Sequence, residues 1–190
     1  MSHAIERLNS QIAGCTKCRS MNSGQKRVVG TGVVEPLVFF LGESPGRLGA
    51  DQTGTPFTKD RSGKLLRKMI EKIDLSPQEI YISNVVKCNP RDEHGRNRRP
   101  STKEIANCRD HLLFELNIVR AKIIVPLGEI ATREFLGNNM TMRKINAKVL
   151  KHADFGRVFP LFHPGYIIRG NYSMSKYRRD FQRLRKLIGS

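Results

Sequence analysis

Four cysteines stand out among the residues that could do chemistry, because the chain has four and no more. Cys15 and Cys18 form a C-x-x-C pair, Cys88 follows an apolar run, and Cys108 lies in a helical pattern. One complete set of thiolates would tie the start of the chain to its middle through a metal centre. The second pair is not C-x-x-C, so the pattern differs from the paired knuckles of a zinc ribbon. We favour an iron–sulfur cluster over zinc on this spacing and keep both open.

Two disulfides or four buried thiols are the alternatives to a metal site. Disulfides need an oxidising compartment, and the opening stretch MSHAIERLNSQIAG lacks the apolar segment of a secretory signal peptide. No apolar run approaches the length of a membrane span. We therefore expect reduced thiols, no membrane association and a cytoplasmic location.

The net charge is +17 at pH 7 and the pI is near 10.3. A surface this basic favours a polyanionic partner, because each neutralised phosphate releases condensed counterions. A solvated basic surface without a specific partner is the alternative. An anionic membrane is less favoured, since the Lys and Arg residues are spread through the whole chain.

Apolar periodicity predicts strands that alternate with helices. The expected strands are residues 37–41, 80–86, 122–127 and 158–162, and the expected helices are residues 4–12, 62–73, one from 101, one ending at 137 and one at the C-terminus. Ser101 and Glu104 have the spacing of a capping box. This order predicts an α/β fold with a four-stranded, mainly parallel sheet flanked by helices. We expect the 190 residues to form a single domain.

Polar residues follow three of these strands. The sequence Gly42-Glu43-Ser44-Pro45-Gly46 follows the first strand, Asn84 lies near the end of the second, and His163 follows the fourth. Ligands of parallel sheets bind beyond the carboxyl ends of the strands, so these residues are expected at one edge. Taken singly, each has an ordinary structural explanation: a solvated loop, a capped backbone group or a strand end.

Several short motifs together resemble the family 4 uracil-DNA glycosylases. They are residues 42–46, Pro56-Phe57, the segment from Asn84 to Cys88, Leu127-Gly128 and His163-Pro164, which occur here in the order typical of that family. Each motif is weak alone. Combined with four cysteines in the family's relative positions, they make a specific pattern that covers nearly the whole chain.

The resemblance implies a base-excision repair enzyme that hydrolyses the N-glycosidic bond of a flipped deoxyuridine and leaves an abasic site. It implies that Glu43 positions or activates a water and that His163 donates to uracil O2 as negative charge develops. It also implies a substrate pocket in which Phe57 stacks on the base and Asn84 reads its polar edge. The loop residues Gly42 and Ser44 would line that pocket.

The resemblance further implies a structural [4Fe-4S] cluster bound by Cys15, Cys18, Cys88 and Cys108. The expected partner is uracil-containing DNA, single- or double-stranded, and the expected state is a monomer. Residues 166–169, with Tyr166 and Arg169, are the segment expected to probe the minor groove and fill the vacated stack. A non-catalytic iron–sulfur nucleic-acid-binding protein is the alternative function, and recruitment by a sliding clamp is left open.

The chain departs from the family pattern at a few positions. Residues 47–53 are longer by one residue and less acidic than is usual, and Asp51 is the candidate to replace the acidic residue that excludes thymine. Ser44 and Gly165 also stand where other small residues are more frequent. A related subgroup traps its product covalently through a lysine- and arginine-rich loop ending in histidine, and residues 137–162 lack that motif. Simple hydrolysis is therefore expected.

Overall fold

The first predicted strand forms the centre of the sheet. In a computed structural model of the chain, which describes residues 3–18, 25–137 and 140–189, this strand is β2 (Val38–Gly42), and all its residues are buried. The other strands are β1 (Thr31–Gly32), β3 (Ile80–Asn84), β4 (Ile123–Pro126), β5 (Leu150–His152) and β6 (Gly156–Val158). The strand order across the sheet is β1-β3-β2-β4-β6-β5.

The four central strands are parallel, as the sequence predicts. Strand β2 pairs in parallel with β3 and β4, and β4 pairs in parallel with β6. The last parallel strand ends at Val158, and residues 159–162 continue beside β4 through a bridge between Leu127 and Leu161. Strands β1 and β5 were not predicted and add antiparallel edges beside β3 and β6. The α/β class is confirmed, with six strands in place of four.

Helices cover both faces of the sheet. They are α1 (His3–Ala13), α2 (Ala50–Thr53), α3 (Arg61–Glu71), α4 (Thr102–Val119), α5 (Glu129–Leu136), α6 (Met142–Ile145), α7 (Pro164–Ile168) and α8 (Met174–Ile188). The predicted capping box begins α4: the Glu104 N–H donates to Ser101 Oγ (3.3 Å) and the Ser101 N–H donates to Glu104 Oε2 (2.8 Å). None of the helices in the described ranges is long and apolar enough to cross a membrane.

Alternate side chains of β2 pack in two separate hydrophobic cores, one on each face of the sheet. Val38 and Phe40 pack in the core that includes residues of α3 and α8, whereas Phe39 and Leu41 pack in the core that includes residues of α1, α4 and α5. A strand buried on both faces must be apolar at every position, which explains the continuous run in the sequence. The polar loops that follow the strands are left at the carboxyl edge of the sheet.

Candidate active site

A cleft of about 850 Å³ opens at the carboxyl edge of the parallel strands. Each central strand contributes a residue at or just after its end: Glu43 after β2, Asn84 on β3, Gly128 after β4 and His163 after β6. The structure therefore brings together the carboxylate, the amide and the imidazole that the sequence analysis singled out. Four more of the predicted residues line the same cleft, namely Ser44, Phe57, Tyr166 and Arg169.

Glu43 is held in the cleft by the backbone beyond β3. The Val85 N–H donates to the carbonyl of Gly42 (2.9 Å), and the Val86 N–H donates to the carbonyl of Glu43 (3.2 Å). Burial raises the pKa of the Glu43 carboxyl above its ordinary value, while the nearby Arg99 cation acts in the opposite direction. Its carboxylate has no hydrogen bond or ion pair within the described part of the chain. A carboxylate of raised pKa facing a cleft is suited to accept a proton.

His163 is fixed in one tautomer by the turn that it begins. It is the N-cap of α7, and its Nδ1 accepts a hydrogen bond from the Gly165 N–H (3.0 Å). Burial, with a smaller contribution from Arg169, lowers the pKa of His163 to about 4. The imidazole is therefore neutral near pH 7, and because Nδ1 is an acceptor, its proton lies on Nε2. His163 can thus donate one hydrogen bond without carrying a positive charge.

A partly buried polar network supports the backbone just before His163. The Phe162 N–H donates to Asn146 Oδ1 (2.9 Å), and Asn146 Nδ2 donates to Asp180 Oδ2 (2.8 Å). The Tyr172 hydroxyl also donates to Asp180 Oδ2 (2.9 Å), and burial together with that hydrogen bond raises the pKa of Tyr172 to about 12. We call these residues the Asp180 network. Through it, α8 fixes the segment that carries the imidazole.

Asn84 presents an unsatisfied amide oxygen. Its side chain is 2% exposed, and its Oδ1 is buried without a hydrogen-bond partner among the described residues. A buried polar atom of this kind costs about 1–3 kcal/mol unless a ligand satisfies it. Gly42 lies directly beside it, and a Cβ at position 42 would stand 2.3 Å from Asn84 Oδ1. The glycine therefore leaves room for the amide at this wall of the cleft.

Phe57 is held on the cleft wall in an uncommon backbone conformation. Its φ is 50°, in the left-handed region that non-glycine residues rarely adopt. Arg67 bonds the turn, donating through Nε to the Phe57 carbonyl (2.8 Å) and through Nη2 to the Pro56 carbonyl (3.0 Å). The Phe57 ring lies 5.9 Å from the imidazole of His163, centroid to centroid. Arg67 is a positioning residue that the sequence analysis missed.

The four cysteines line one small cavity, which lies between the end of α1, the segment after β3 and α4. Cys15, Cys18, Cys88 and Cys108 are free thiols, and the cavity is shared with Ile12, Arg27, Lys87, Asn107 and His111. Asn107 Nδ2 donates to Cys18 Sγ (3.3 Å), and the Lys87 N–H donates to Cys108 Sγ (3.4 Å). Across residues 3–18, 25–137 and 140–189, no group of three or more His, Cys, Asp and Glu side chains is arranged to hold a metal ion.

Burial disfavours the thiolate form of two of the cysteines in this cavity. Burial, followed by the neighbouring Cys108 thiol, raises the pKa of Cys88 to about 12, and burial also raises the pKa of Cys108. Buried thiols become thiolates when a metal supplies compensating positive charge. Hydrogen bonds from N–H donors to the sulfurs stabilise the same charged form. Thiolate sulfur is the donor that zinc and iron–sulfur centres take, so the ligand type in this cavity suits such a centre, although the four sulfurs are not arranged around a single point.

Comparisons with known proteins agree with this arrangement. Residues 29–186 match the family model described as the uracil DNA glycosylase superfamily. The type-4 uracil-DNA glycosylase of Archaeoglobus fulgidus is 30% identical over 194 residues, covering 98% of this chain and 94% of the relative. The type-4 enzyme of Thermotoga maritima is 32% identical, covering 87% of this chain and 83% of the relative. The chain belongs to the type-4 uracil-DNA glycosylase family.

The fold of this type-4 family member is also found in a solved structure of low sequence identity. The crystal structure of SMUG2 from Pedobacter heparinus has a TM-score of 0.59 and 17% identity, and the match covers 82% of this chain and 77% of that one. The similarity supports the arrangement of strands and helices described above.

The segment after His163, which is expected to probe the minor groove, is helical in this family member. It forms the short helix α7, in which Ile167 is buried in the core. The Tyr166 ring stacks on Phe162 at 4.9 Å, so Tyr166 reaches the cleft as part of its wall. Arg169 is exposed at the cleft rim. Of the residues expected to probe DNA, Arg169 therefore has the accessible position.

A basic rim surrounds the cleft of this type-4 family member. Arg99, Arg143 and Lys144 line it, although the sequence analysis assigned none of them to the site. The loop containing Arg99 is tied to the Glu43 loop, since Asn89 Nδ2 donates to the Pro45 carbonyl (2.6 Å). The polar, arginine-rich sequence of residues 89–100 carries no periodic pattern that would predict this ordered contact. A positive rim is the feature that a phosphate backbone requires.

Asp51 does not take the place that was suggested for it. Its carboxylate pairs with Arg91 and accepts a hydrogen bond from the Lys26 N–H (3.1 Å), and it is 6% exposed. Its neighbour Ala50 lines the cleft instead. The pairing with Arg91 directs the acid into the packing of the loop, where it holds residues 50–53 in place.

Proposed function

We propose that this chain is a monofunctional uracil-DNA glycosylase of base-excision repair, which hydrolyses the N-glycosidic bond of a flipped deoxyuridine. The observation that carries the proposal is the meeting of Glu43, Asn84 and His163 in one cleft at the carboxyl edge of the sheet. Membership of the type-4 family supports the same activity.

The reaction separates charge, and the cleft has a group for each charge. The C1′–N1 bond breaks with its electron pair leaving on uracil, while a water oxygen forms the new bond to C1′ and loses a proton. Glu43 accepts that proton and its carboxylate stabilises the cationic sugar; its raised pKa improves it as a base. His163 donates its Nε2 proton in a hydrogen bond to uracil O2, which gains negative charge.

A neutral imidazole suits this role, because its hydrogen bond to uracil O2 becomes stronger as negative charge develops on the base. Only an interaction that strengthens as charge develops lowers the barrier. Because the pKa of His163 is lowered to about 4, the donor remains neutral at working pH and is held in place by the Gly165 N–H. Such a donor contributes about 10²–10³ in rate.

Asn84 and Phe57 account for recognition of the base. Asn84 Oδ1, which is buried and unpaired, can accept from uracil N3–H, while its Nδ2 donates to O4. Cytosine presents the opposite pattern at that edge and is rejected. Phe57 stacks on the extruded ring, at a gain of about 1–3 kcal/mol. Ser44 lines the adjoining wall of this pocket, whereas Gly42 does not line it and lies behind the Asn84 amide and the Phe57 ring.

The DNA backbone is assigned to the basic rim. Base flipping requires the duplex to be held at the cleft mouth while one nucleotide leaves the stack. Arg169 and Tyr166, together with Arg99, Arg143 and Lys144, surround that mouth. The net charge of +17 supports a polyanionic substrate.

The cysteine cavity is proposed to hold a structural [4Fe-4S] cluster through Cys15, Cys18, Cys88 and Cys108. Such a cluster would join the end of α1 to α4 and to the segment after β3, and it takes no part in the hydrolysis. The all-sulfur donor set and the N–H hydrogen bonds to Cys18 Sγ and Cys108 Sγ support it. Broad visible absorption with about four irons per chain is the expected result, and a colourless protein with one zinc would replace the cluster by zinc.

Single-stranded and duplex oligonucleotides with one uracil test the activity directly. Heating in alkali after incubation should cut the strand at the abasic site. The Glu43→Gln variant should lose about 10²–10⁴ in rate and still bind DNA. The control is Glu71→Gln, which changes an exposed carboxylate at the end of α3. Uncut strands on both substrates would contradict the proposal and favour a non-catalytic nucleic-acid-binding protein.

Water is the proposed nucleophile, so the strand should stay intact until alkali is added. Lys144 is the lysine that lines the cleft in the described residues. Strand cleavage without alkali that disappears in Lys144→Met would show a Schiff base instead of simple hydrolysis.

The organisation of the chain is part of the proposal. We propose a single domain over these 190 residues that acts as a monomer in the cytoplasm. The sheet and both cores draw on elements from α1 to α8, which supports one folding unit. A sedimentation measurement that gives 21.6 kDa would agree with a monomer.

A further inference from the structure

A buried ion pair lies directly behind Asn84. Lys87 Nζ and Glu115 Oε2 are 2.6 Å apart, and the two side chains are 1% and 0% exposed. Lys87 Nζ also donates to Ser83 Oγ (2.7 Å) and to the main-chain carbonyl of Asn84 (2.9 Å). Its three N–H donors are therefore all used. The mechanism proposed above assigns no role to either charge.

Both carboxylate oxygens of Glu115 also accept hydrogen bonds. Its Oε2 accepts from Ser83 Oγ (2.8 Å) and its Oε1 accepts from the Tyr81 hydroxyl (3.1 Å). Tyr81 and Ser83 lie on β3, and Glu115 lies on α4, so the network joins a strand to the helix that covers it. We call these residues, with Lys87, the Lys87 network.

Stability alone does not explain a pair of this kind. Removing two charges from water costs several kcal/mol per ion, and apolar residues of similar volume are often as stabilising. What apolar side chains cannot do is hold a particular main-chain carbonyl at a fixed place. Lys87 does this for Asn84, three residues earlier in the chain, at the point where β3 ends.

The held segment also carries the link to Glu43. The Val85 and Val86 N–H groups donate to the Gly42 and Glu43 carbonyls, immediately after Asn84. The Lys87 network therefore closes the turn that sets the Asn84 amide and the Glu43 loop side by side. On its far side, the Lys87 N–H donates to Cys108 Sγ, so the same residue borders the cysteine cavity.

We propose that Lys87 and Glu115 are positioning residues for base recognition, holding the end of β3 so that the Asn84 amide meets the uracil edge. The inference rests on the proposed function of the cleft. It predicts that loss of the ion pair changes affinity for the base, whereas affinity for undamaged DNA is unchanged, because the basic rim is untouched.

The test compares the double variant Lys87→Met/Glu115→Met with wild type. Removing both charges avoids an uncompensated buried ion, so the variant should fold with a cooperative thermal transition. We expect KM for a uracil oligonucleotide and the inhibition constant of free uracil to rise about 10- to 100-fold, the cost of a misplaced contact group. Binding to an undamaged oligonucleotide of the same length should stay unchanged.

The matched control is Arg120→Met/Glu35→Gln, which removes an exposed ion pair at the end of α4. It should change neither constant. A folded Lys87→Met/Glu115→Met variant with wild-type KM and wild-type inhibition by uracil would overturn the inference. If that variant does not fold, Glu115→Gln, which keeps volume and an acceptor, is measured instead. A rise of about threefold or more in the uracil inhibition constant supports the inference, and no rise overturns it.

Wild-type activity separates the two proposals. A wild-type protein that releases no uracil would overturn the proposed function, and this inference with it. A wild-type protein that releases uracil, beside variants with unchanged constants, would overturn the inference alone.

Discussion

Two polar networks support the cleft from opposite sides, and they differ in burial and in charge. The Lys87 network contains an ion pair, and its Lys87 Nζ donates a hydrogen bond to the main chain at the end of β3, next to the Asn84 amide. The Asp180 network uses one carboxylate and neutral donors to hold the Phe162 N–H, next to the imidazole. The comparison suggests a division of labour. We propose that the β3 side fixes which base is read and that the α8 side fixes the donor to the leaving base.

The largest expected effect tests the chemical side of this division. His163→Ala removes the proposed hydrogen bond to the developing anion, so kcat should fall by about 10²–10³, or roughly 2.7–4 kcal/mol. KM should change little, because the interaction strengthens mainly in the transition state. Single-turnover rates on a uracil oligonucleotide measure this, with His3→Ala as the exposed control. A large rise in KM with unchanged kcat would assign His163 to the recognition side.

The pH dependence of folding stability also tests the α8 side, through the pKa of His163. The folded-state pKa of His163 is about 4, below the ordinary value of 6.5, so folding disfavours its protonated form. Stability from this group is therefore full above pH 6.5 and is lost progressively as pH falls towards 4, by up to roughly 3 kcal/mol. Urea unfolding at pH 7 and pH 4.5 should show a smaller difference for His163→Asn than for wild type. Equal differences would mean that the imidazole titrates normally.

The pH dependence of the rate follows from Glu43. Burial raises the pKa of this carboxyl, so the active carboxylate is lost as pH falls through that raised value. The rate should decline by tenfold per pH unit below it. The Glu43→Gln variant should lack this limb of the profile, and a profile that keeps it would assign the titration to another group.

Asn84→Ala tests the recognition side. The variant loses both hydrogen bonds to the uracil edge. The transition-state stabilisation measured by kcat/KM should therefore fall by about 1–3 kcal/mol, and inhibition by free uracil should weaken in parallel. Inhibition assays with uracil and with cytosine measure the loss of discrimination. Unchanged uracil inhibition would remove Asn84 from the binding site.

The smallest expected effect comes from Asn146→Ala. The variant leaves the Phe162 N–H without its acceptor, which costs about 1–3 kcal/mol of stability and lowers kcat by several-fold. Uracil inhibition should not change, in contrast to the Lys87 and Glu115 variants. A change in uracil inhibition would show that both networks act on recognition and that the division is wrong.

The sequence predicted those site residues that directly follow apolar strands. Glu43, Asn84 and His163 could be assigned because strand ends in a parallel sheet share one edge. Lys87 and Glu115 could not be assigned, since a charged residue in a loop or helix is usually solvated and only packing reveals its burial. Arg67 was missed for a related reason: its partner is the backbone of Phe57, whose left-handed conformation has no signature in the residue type.

The fold was predicted to a similar degree. Strands β2, β3 and β4 are long apolar runs, whereas β1 and β5 have two and three residues and leave no periodic signal. Helix α7 was not predicted because a five-residue segment that begins with a proline also fits a loop. The four cysteines were found by number and type alone, and only the structure shows that they line one cavity.

The short strands β1 and β5 have a consequence for how the molecule behaves at high concentration. Each occupies the outer side of a parallel strand, and each is antiparallel and only a few residues long. An apolar strand at the edge of a sheet has unpaired N–H and C=O groups, so a strand of another chain can pair with it, which leads to aggregation. With β1 and β5 in place, β3 and β6 have a paired neighbour on their outer sides and are less open to the sheet of a second copy.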